Sequence, residues 1–104
     1  MAERMGCIYI ITNDINDKVY VGQTLRDLQV RYSEHCYDTR STSSIHSAIQ
    51  KYGVSHFNIA VLEYVPFSKL DEREQYWIAH YDSYKNGYNK TIGGQNNNFK
   101  NYYD

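Results

Sequence analysis

A chain of 104 residues is long enough for one domain and too short for two of ordinary size. Its 11 lysine and arginine side chains stand against 12 aspartate and glutamate, a net charge of −1, which excludes bulk attraction to nucleic acid. Any such contact must come from a local patch, a metal ion or a partner domain.

Tyrosine supplies 12 residues, so much of the apolar content carries a hydroxyl. Buried hydroxyls need partners or water, which favours a polar-edged cleft over a dry interior. Cys7 and Cys36 lack CxxC spacing and read as small buried thiols in a reducing compartment. No apolar run approaches membrane length, and residues 1–5 lead into no signal-peptide core. The expectation is a cytoplasmic chain with no membrane partner.

In chain order, Gly6 to Thr12 reads as a strand, with Cys7, Tyr9 and Ile11 on one face and Ile8 and Ile10 on the other. After the turn-prone run Asn13-Asp14-Ile15-Asn16-Asp17, Lys18 to Gln23 is the return strand of a hairpin. Val19 and Val21 lie opposite Tyr20, and Gly22 is a place where another group can approach the backbone closely. A helix is predicted from Leu25 or Asp27 to Cys36, with Thr24 as N-cap. Leu28 and Tyr32 form its apolar stripe, and Arg31 and His35, four apart, share a face beside it.

A polar loop over 38–44 leads to a second helix, capped by Ser43 or Ser44, with Ile45, Ala48, Ile49 and Tyr52 inward and Gly53 at its end. His46 falls off that stripe and is expected on the solvated surface. Phe57 to Tyr64 is apolar on both alternations and is predicted as the central strand, with Pro66 marking its exit. A third helix follows, capped by Ser68, with Leu70, Trp77, Ile78 and Tyr81 inward. Glu74, four after Leu70 and three before Trp77, falls in that stripe, where a carboxylate is costly unless a cation or donor meets it. Glu72 lies elsewhere on the helix, as ordinary solvated charge. The segment from Asn86 to Gly94 reads as a turn, a short extended piece and a glycine-rich stop. Residues 1–94 are then the domain and 95–104 a loosely ordered polar tail.

The order is strand, strand, helix, helix, strand, helix. Tyr9, Tyr20, Arg31, His35, Glu74 and Asn89 are the polar residues without an easy core role. One carboxylate, one arginine, one histidine and paired phenols suit metal-assisted attack of water on a phosphodiester. The glutamate would hold a divalent cation, the arginine would neutralise phosphate charge, and a phenol or imidazole would receive the water's proton. There is no phosphate-binding glycine loop, GxSxG, HExxH or cysteine metal cluster.

From Cys7-Ile8-Tyr9 and Tyr20-Val21-Gly22 through Arg31, His35, Lys51-Tyr52-Gly53, Leu62-Glu63, Glu74 with Trp77-Ile78, Gly87-Tyr88-Asn89 and Gly93-Gly94, the chain resembles the catalytic domain of the GIY-YIG nuclease superfamily. Its style is that of the intron-encoded homing endonucleases. The resemblance implies an α+β fold, with a three-stranded antiparallel sheet flanked by three helices. It implies one Mg²⁺ or Mn²⁺ on Glu74, Arg31 at the scissile phosphate, and Tyr9, Tyr20 and His35 lining the site. Tyr9, Tyr20, His35 and metal-bound hydroxide all stay open as the base. Lys18, Gly22 and Asn89 are expected against the substrate, with Asn89 also readable as structural support. Cys7 stands where the family's first glycine usually does. The implied partner is DNA, bound by a monomer, with sequence specificity either low or borrowed from a separate DNA-binding domain or partner. The alternative is an inactive nucleic-acid-binding or protein-interaction module on the same fold.

Overall fold

The hairpin forms where the sequence places it. β1 (Met5–Asn13) pairs antiparallel with β2 (Val19–Thr24), from Cys7 opposite Thr24 to Thr12 opposite Val19. The computed structural model describes residues 3–38 and 43–93. The expected polar tail, Gly94 and the centre of the loop before the second helix lie outside them.

Asparagine chemistry closes the turn. Asn13 Oδ1 accepts from the Ile15 amide at 2.9 Å, Asn16 Oδ1 accepts from the Lys18 amide at 3.0 Å, and Asp17 takes the left-handed conformation at φ 64°. The Tyr88 hydroxyl accepts from both Asn13 Nδ2 and Asn16 Nδ2, at 3.0 and 3.1 Å, and so ties the turn to the far end of the chain.

β3 (Phe57–Pro66) pairs antiparallel with the other side of β1, giving the order β2-β1-β3. β1 is therefore central and β3 is an edge, which corrects the sequence expectation. Asn58, Ala60 and Tyr64 on one alternation of β3 are exposed, so apolar letters on both alternations do not mean that both faces are covered, and periodicity cannot separate such an edge from a central strand. The ladder slips between Ile8 and Tyr9, where Ile8 faces Glu63 and Tyr9 faces Val61. Leu62 is left as a bulge, and it and Glu63 both reach the same covering helix.

Helices α1 (Leu28–Tyr37) and α2 (Ser44–Tyr52) cover one face, where Tyr9, Ile11 and Phe57 pack with Cys36, Ile45, Ala48 and Ile49. Helix α3 (Leu70–Tyr81) covers the other, over Ile8, Ile10, Val21 and Val65. The alternation read from β1 is thus the alternation between two cores. Both cysteines are free and buried, and burial pushes the Cys36 thiol up, away from reactivity. Cys7 packs without disturbing the ladder. The close approach belongs to Gly6, where a Cβ would stand 2.8 Å from the Thr24 carbonyl.

The caps differ from expectation in two places. Asp27, not Thr24, caps α1, its Oδ1 accepting from the Gln29 and Val30 amides at 2.9 and 3.2 Å. Thr24 Oγ1 instead accepts from the Arg26 amide in the preceding turn. Ser68 lies inside a 3₁₀ turn (Phe67–Lys69) and gives α3 no side-chain cap. Ser43 caps α2 as expected, and Gly53 ends it at φ 97° with its amide on the Ile49 carbonyl. Tyr81 is exposed and stacks on Trp77 rather than facing inward.

A short α4 (Ser83–Asn86), with no apolar stripe to announce it, precedes Gly87. The following residues brace the outer edge of β2. The Tyr88 amide donates to the Val19 carbonyl at 2.9 Å, and the Asn89 side chain meets the Val21 amide and carbonyl at 2.9 and 2.8 Å. A side-chain amide here does what a fourth strand would do. Among the described residues no helix is long and apolar enough to cross a membrane.

Candidate active site

Three aromatic side chains meet on the α1 face of the sheet. Tyr9 projects from β1, Tyr20 from β2 and His35 from the last turn of α1. The Tyr9 hydroxyl and His35 Nε2 stand 2.8 Å apart and share one proton. The Tyr20 ring meets the imidazole edge-on with centroids 5.1 Å apart, and the two tyrosine rings lie 6.3 Å apart. Gly22 permits this: a Cβ there would stand 2.4 Å from the Tyr9 hydroxyl. The group that approaches Gly22 closely is the chain's own phenol.

Arg31 lies one turn before His35 and is partly exposed. Its Nη1 donates to Glu34 Oε1 at 3.0 Å, and the same oxygen accepts from Arg26 Nη2 at 2.6 Å. The Arg26 contact, then the Arg31 contact, hold the Glu34 carboxyl below the usual carboxylate range against an opposing effect of burial.

Helix α2 holds the end of α1 that carries this cluster. The last carbonyls of a helix lack partners within it. His46 Nδ1–H donates to the His35 carbonyl at 2.7 Å, and Gln50 Nε2 donates to the Cys36 carbonyl at 2.8 Å. His46 is therefore buried, at 7 % exposure, and not on the solvated surface as its position off the stripe suggests. His46 lies off the one apolar stripe of α2, and the helix end it faces needs a donor, which no periodicity reports.

Glu74 is on the other face of the sheet, buried at 5 % exposure. Gln23, which alternates with Gly22 and so faces α3, donates from Nε2 to Glu74 Oε1 at 3.1 Å and to Asp71 Oδ1 at 2.9 Å. Gly93 closes against the same carboxylate, where a Cβ would stand 3.2 Å from Glu74 Oε1. The structure thus brings Tyr9, Tyr20 and His35 together on one face, with Arg31 one turn before His35 on the same helix, and sets Glu74 on the helix that covers the opposite face, against Gln23 of β2.

The Glu74 donor set fits a hard divalent cation. It offers carboxylate oxygen, with a second carboxylate, Asp71, one turn earlier. Among the described residues no group of three or more His, Cys, Asp or Glu converges. Mg²⁺ is commonly held by one or two carboxylates, the rest of its shell being water and phosphate oxygen.

Lys18 is exposed at the start of β2. Asn89, expected against the substrate, has its amide engaged with Val21 and accepts from Ser83 Oγ at 2.7 Å. Sequence reasoning gave no site role to Gln23, Asp71, Glu34 or His46. Gln23 alone carried a signal, as a polar residue on the inward alternation of β2.

The class of the domain is α+β: a small antiparallel sheet with a tyrosine–histidine cluster on one face and the buried Glu74 under the helix that covers the other. The sequence model of the GIY-YIG catalytic domain matches residues 5–89, and the chain belongs to this endonuclease family. An uncharacterized protein, 019R, of Invertebrate iridescent virus 6 is 37 % identical over 95 residues, covering 85 % of this chain and 34 % of that protein. Intron-associated endonuclease 1 of Enterobacteria phage T4 is 36 % identical over 88 residues, covering 79 % of this chain and 35 % of that protein. The chain spans about a third of the length of these curated relatives. Among solved structures, a point mutant of the catalytic domain of intron endonuclease I-TevI superposes with a TM-score of 0.75 at 31 % identity, over 86 % of this chain and 97 % of that one. A second structure of that domain gives 0.72 at 33 % identity, over 83 % and 98 %.

Proposed function

We propose that this domain is a divalent-metal-dependent DNA endonuclease. Family membership and likeness to an endonuclease's catalytic domain support the reaction class, and the observation that carries the reading is Glu74. Glu74 is buried, and the Gln23 amide draws Asp71 to the same place, so two hard carboxylate donors of the kind a divalent cation takes stand side by side. Mg²⁺ or Mn²⁺ on Glu74 would polarise the phosphate and stabilise the leaving oxygen.

The chain's own residues do the rest. Arg31 pairs with the scissile phosphate, donating to its non-bridging oxygens as negative charge builds there. Tyr9 or Tyr20 receives the proton of the attacking water. A phenol is a poor base at neutral pH, and His35 Nε2, 2.8 Å from the Tyr9 hydroxyl, gives the proton somewhere to go. A phosphodiester lying over the Gly22–Gln23 end of β2 has the cluster to one side and Glu74 to the other. Asn89 serves as a brace for β2, while Lys18 is placed to meet a neighbouring phosphate. A protein partner or a further DNA-binding region supplies sequence specificity, the domain itself acting as a monomer.

The test is supercoiled plasmid with Mg²⁺ or Mn²⁺. Nicked or linear product that EDTA prevents is expected, and Glu74→Gln should remove it while leaving the circular-dichroism spectrum intact. A Glu74→Gln protein that cuts at the native rate ends the metal-ligand assignment. DNA binding without cleavage under both metals assigns the inactive module instead.

A further inference from the structure

We propose that Arg26 and Arg31 form a paired phosphate clamp, and that the Glu34 carboxylate occupies its seat until a DNA phosphate takes its place. The inference rests on the endonuclease reading above. It adds a second substrate-contacting arginine and a resident competitor for the substrate.

One carboxylate oxygen draws two guanidinium groups to a single point, Glu34 Oε1 lying 2.6 Å from Arg26 Nη2 and 3.0 Å from Arg31 Nη1. Two like charges gather so closely only around an anion. Arg26 lies just before the start of α1 and Arg31 within its first turns, so the meeting is made by side chains of separate segments. The three side chains are 24–38 % exposed, open enough for an incoming anion to reach them and for Glu34 to swing into water.

Arg26 carries an independent mark of an incomplete site. Its Nε–H is shielded from solvent and meets no acceptor. Guanidinium presents its donors in a fixed fork suited to a planar or tetrahedral oxyanion. A phosphodiester has two non-bridging oxygens and can give one to each arginine, where Glu34 gives a single oxygen to both. The position is also right, since Arg31 stands one turn before His35, which meets Tyr9. Exposed ion pairs are weak, so exchange of Glu34 for phosphate is cheap. It also uncovers two positive charges near the Tyr9–His35 pair, in a chain whose net charge of −1 gives DNA no bulk attraction.

The experiment is fluorescence anisotropy of a fluorescein-labelled 20-base-pair duplex with the full chain carrying Glu74→Gln, in EDTA, from 25 to 200 mM KCl. Relative to that parent, Arg26→Ala should bind about tenfold more weakly at low salt and lower the log–log salt slope by about 0.9. Arg26→Lys, a point charge without the fork, should keep the slope and recover part of the affinity. Glu34→Gln should bind about three- to tenfold more tightly. Unchanged affinity and slope in Arg26→Ala, or weaker binding by Glu34→Gln, overturns the clamp alone. A parent that binds no duplex at any salt overturns the clamp together with the nucleic-acid reading. Thermal melts within a few degrees of the parent show that the variants are folded.

Discussion

The Tyr9 ring crosses β2 at Gly22, where a Cβ would stand 2.4 Å from both Cζ and Oη of the phenol and 3.0 Å from the Tyr20 ring. Neither ring can move away without leaving His35. Gly22→Ala should therefore cost about 1–3 kcal/mol in stability through overpacking. It should also lower nicking at least about tenfold by lengthening the Tyr9–His35 contact. Urea unfolding and plasmid nicking read the two effects, and an alanine variant with native stability and native rate would show that the phenol does not need this seat. At this scale much was legible. Glu74 could be singled out because its spacing from Leu70 and Trp77 conflicts with its charge. Arg31 and His35 could be placed on one face by arithmetic. His46 could not, because what buries it is an orphan carbonyl on another helix, and orphan carbonyls have no sequence letter.

Glu63 shows how an irregularity in a strand fastens an element. The bulge at Leu62 turns Glu63 toward α3, where its Oε1 accepts from Trp77 Nε1 at 2.9 Å and Arg73 Nε at 2.7 Å. The indole contact, then the arginine, hold the Glu63 carboxyl below its ordinary range, against a smaller effect of burial. A carboxylate with a depressed folded value stabilises the fold above its unfolded pKa, and that contribution fades as pH falls through the folded value. Glu63→Gln should thus destabilise by about 1 kcal/mol at pH 7, the contacts being partly exposed. The difference from the native chain should shrink as pH drops below about 4.3, the unfolded value, toward zero. Urea melts at pH 7, 5 and 3 check this; a difference constant over that range would remove the charge from the account. The elements themselves were legible wherever a single period ran long enough, as in β1, α2 and α3. The sequence misplaced what depends on partners. β3 and β1 are both apolar on two faces, and only pairing decides which is central. Asp27 wins the α1 cap from Thr24 because its carboxylate reaches two amides at once.

Across the whole molecule, the candidate site draws on both cores. Tyr9, Tyr20 and His35 grow out of the α1–α2 core, Glu74 out of the α3 core, and β2 is the sheet between them, braced on its outer edge by Asn89. On the proposed reading, this division would separate a metal on Glu74 from the fold. Structural metal sites take four protein ligands and contribute folding energy outright, whereas among the described residues no group of three or more His, Cys, Asp or Glu gathers at Glu74, and each core closes around apolar side chains. A cation held this way stabilises only by mass action, about 0.4 kcal/mol when its concentration equals Kd and about 1.4 kcal/mol at ten times Kd. For a chain of this size each kcal/mol moves the melting temperature by about 4–8 °C. EDTA should therefore abolish nicking completely while lowering Tm by no more than about 10 °C, and Glu74→Gln should make Tm insensitive to Mg²⁺. Calorimetric scans of both proteins, with and without 5 mM Mg²⁺, decide the matter. Loss of the folded signal in EDTA would mean that the ion closes a core, and Glu74 would then be a structural ligand rather than the carboxylate of a reaction centre.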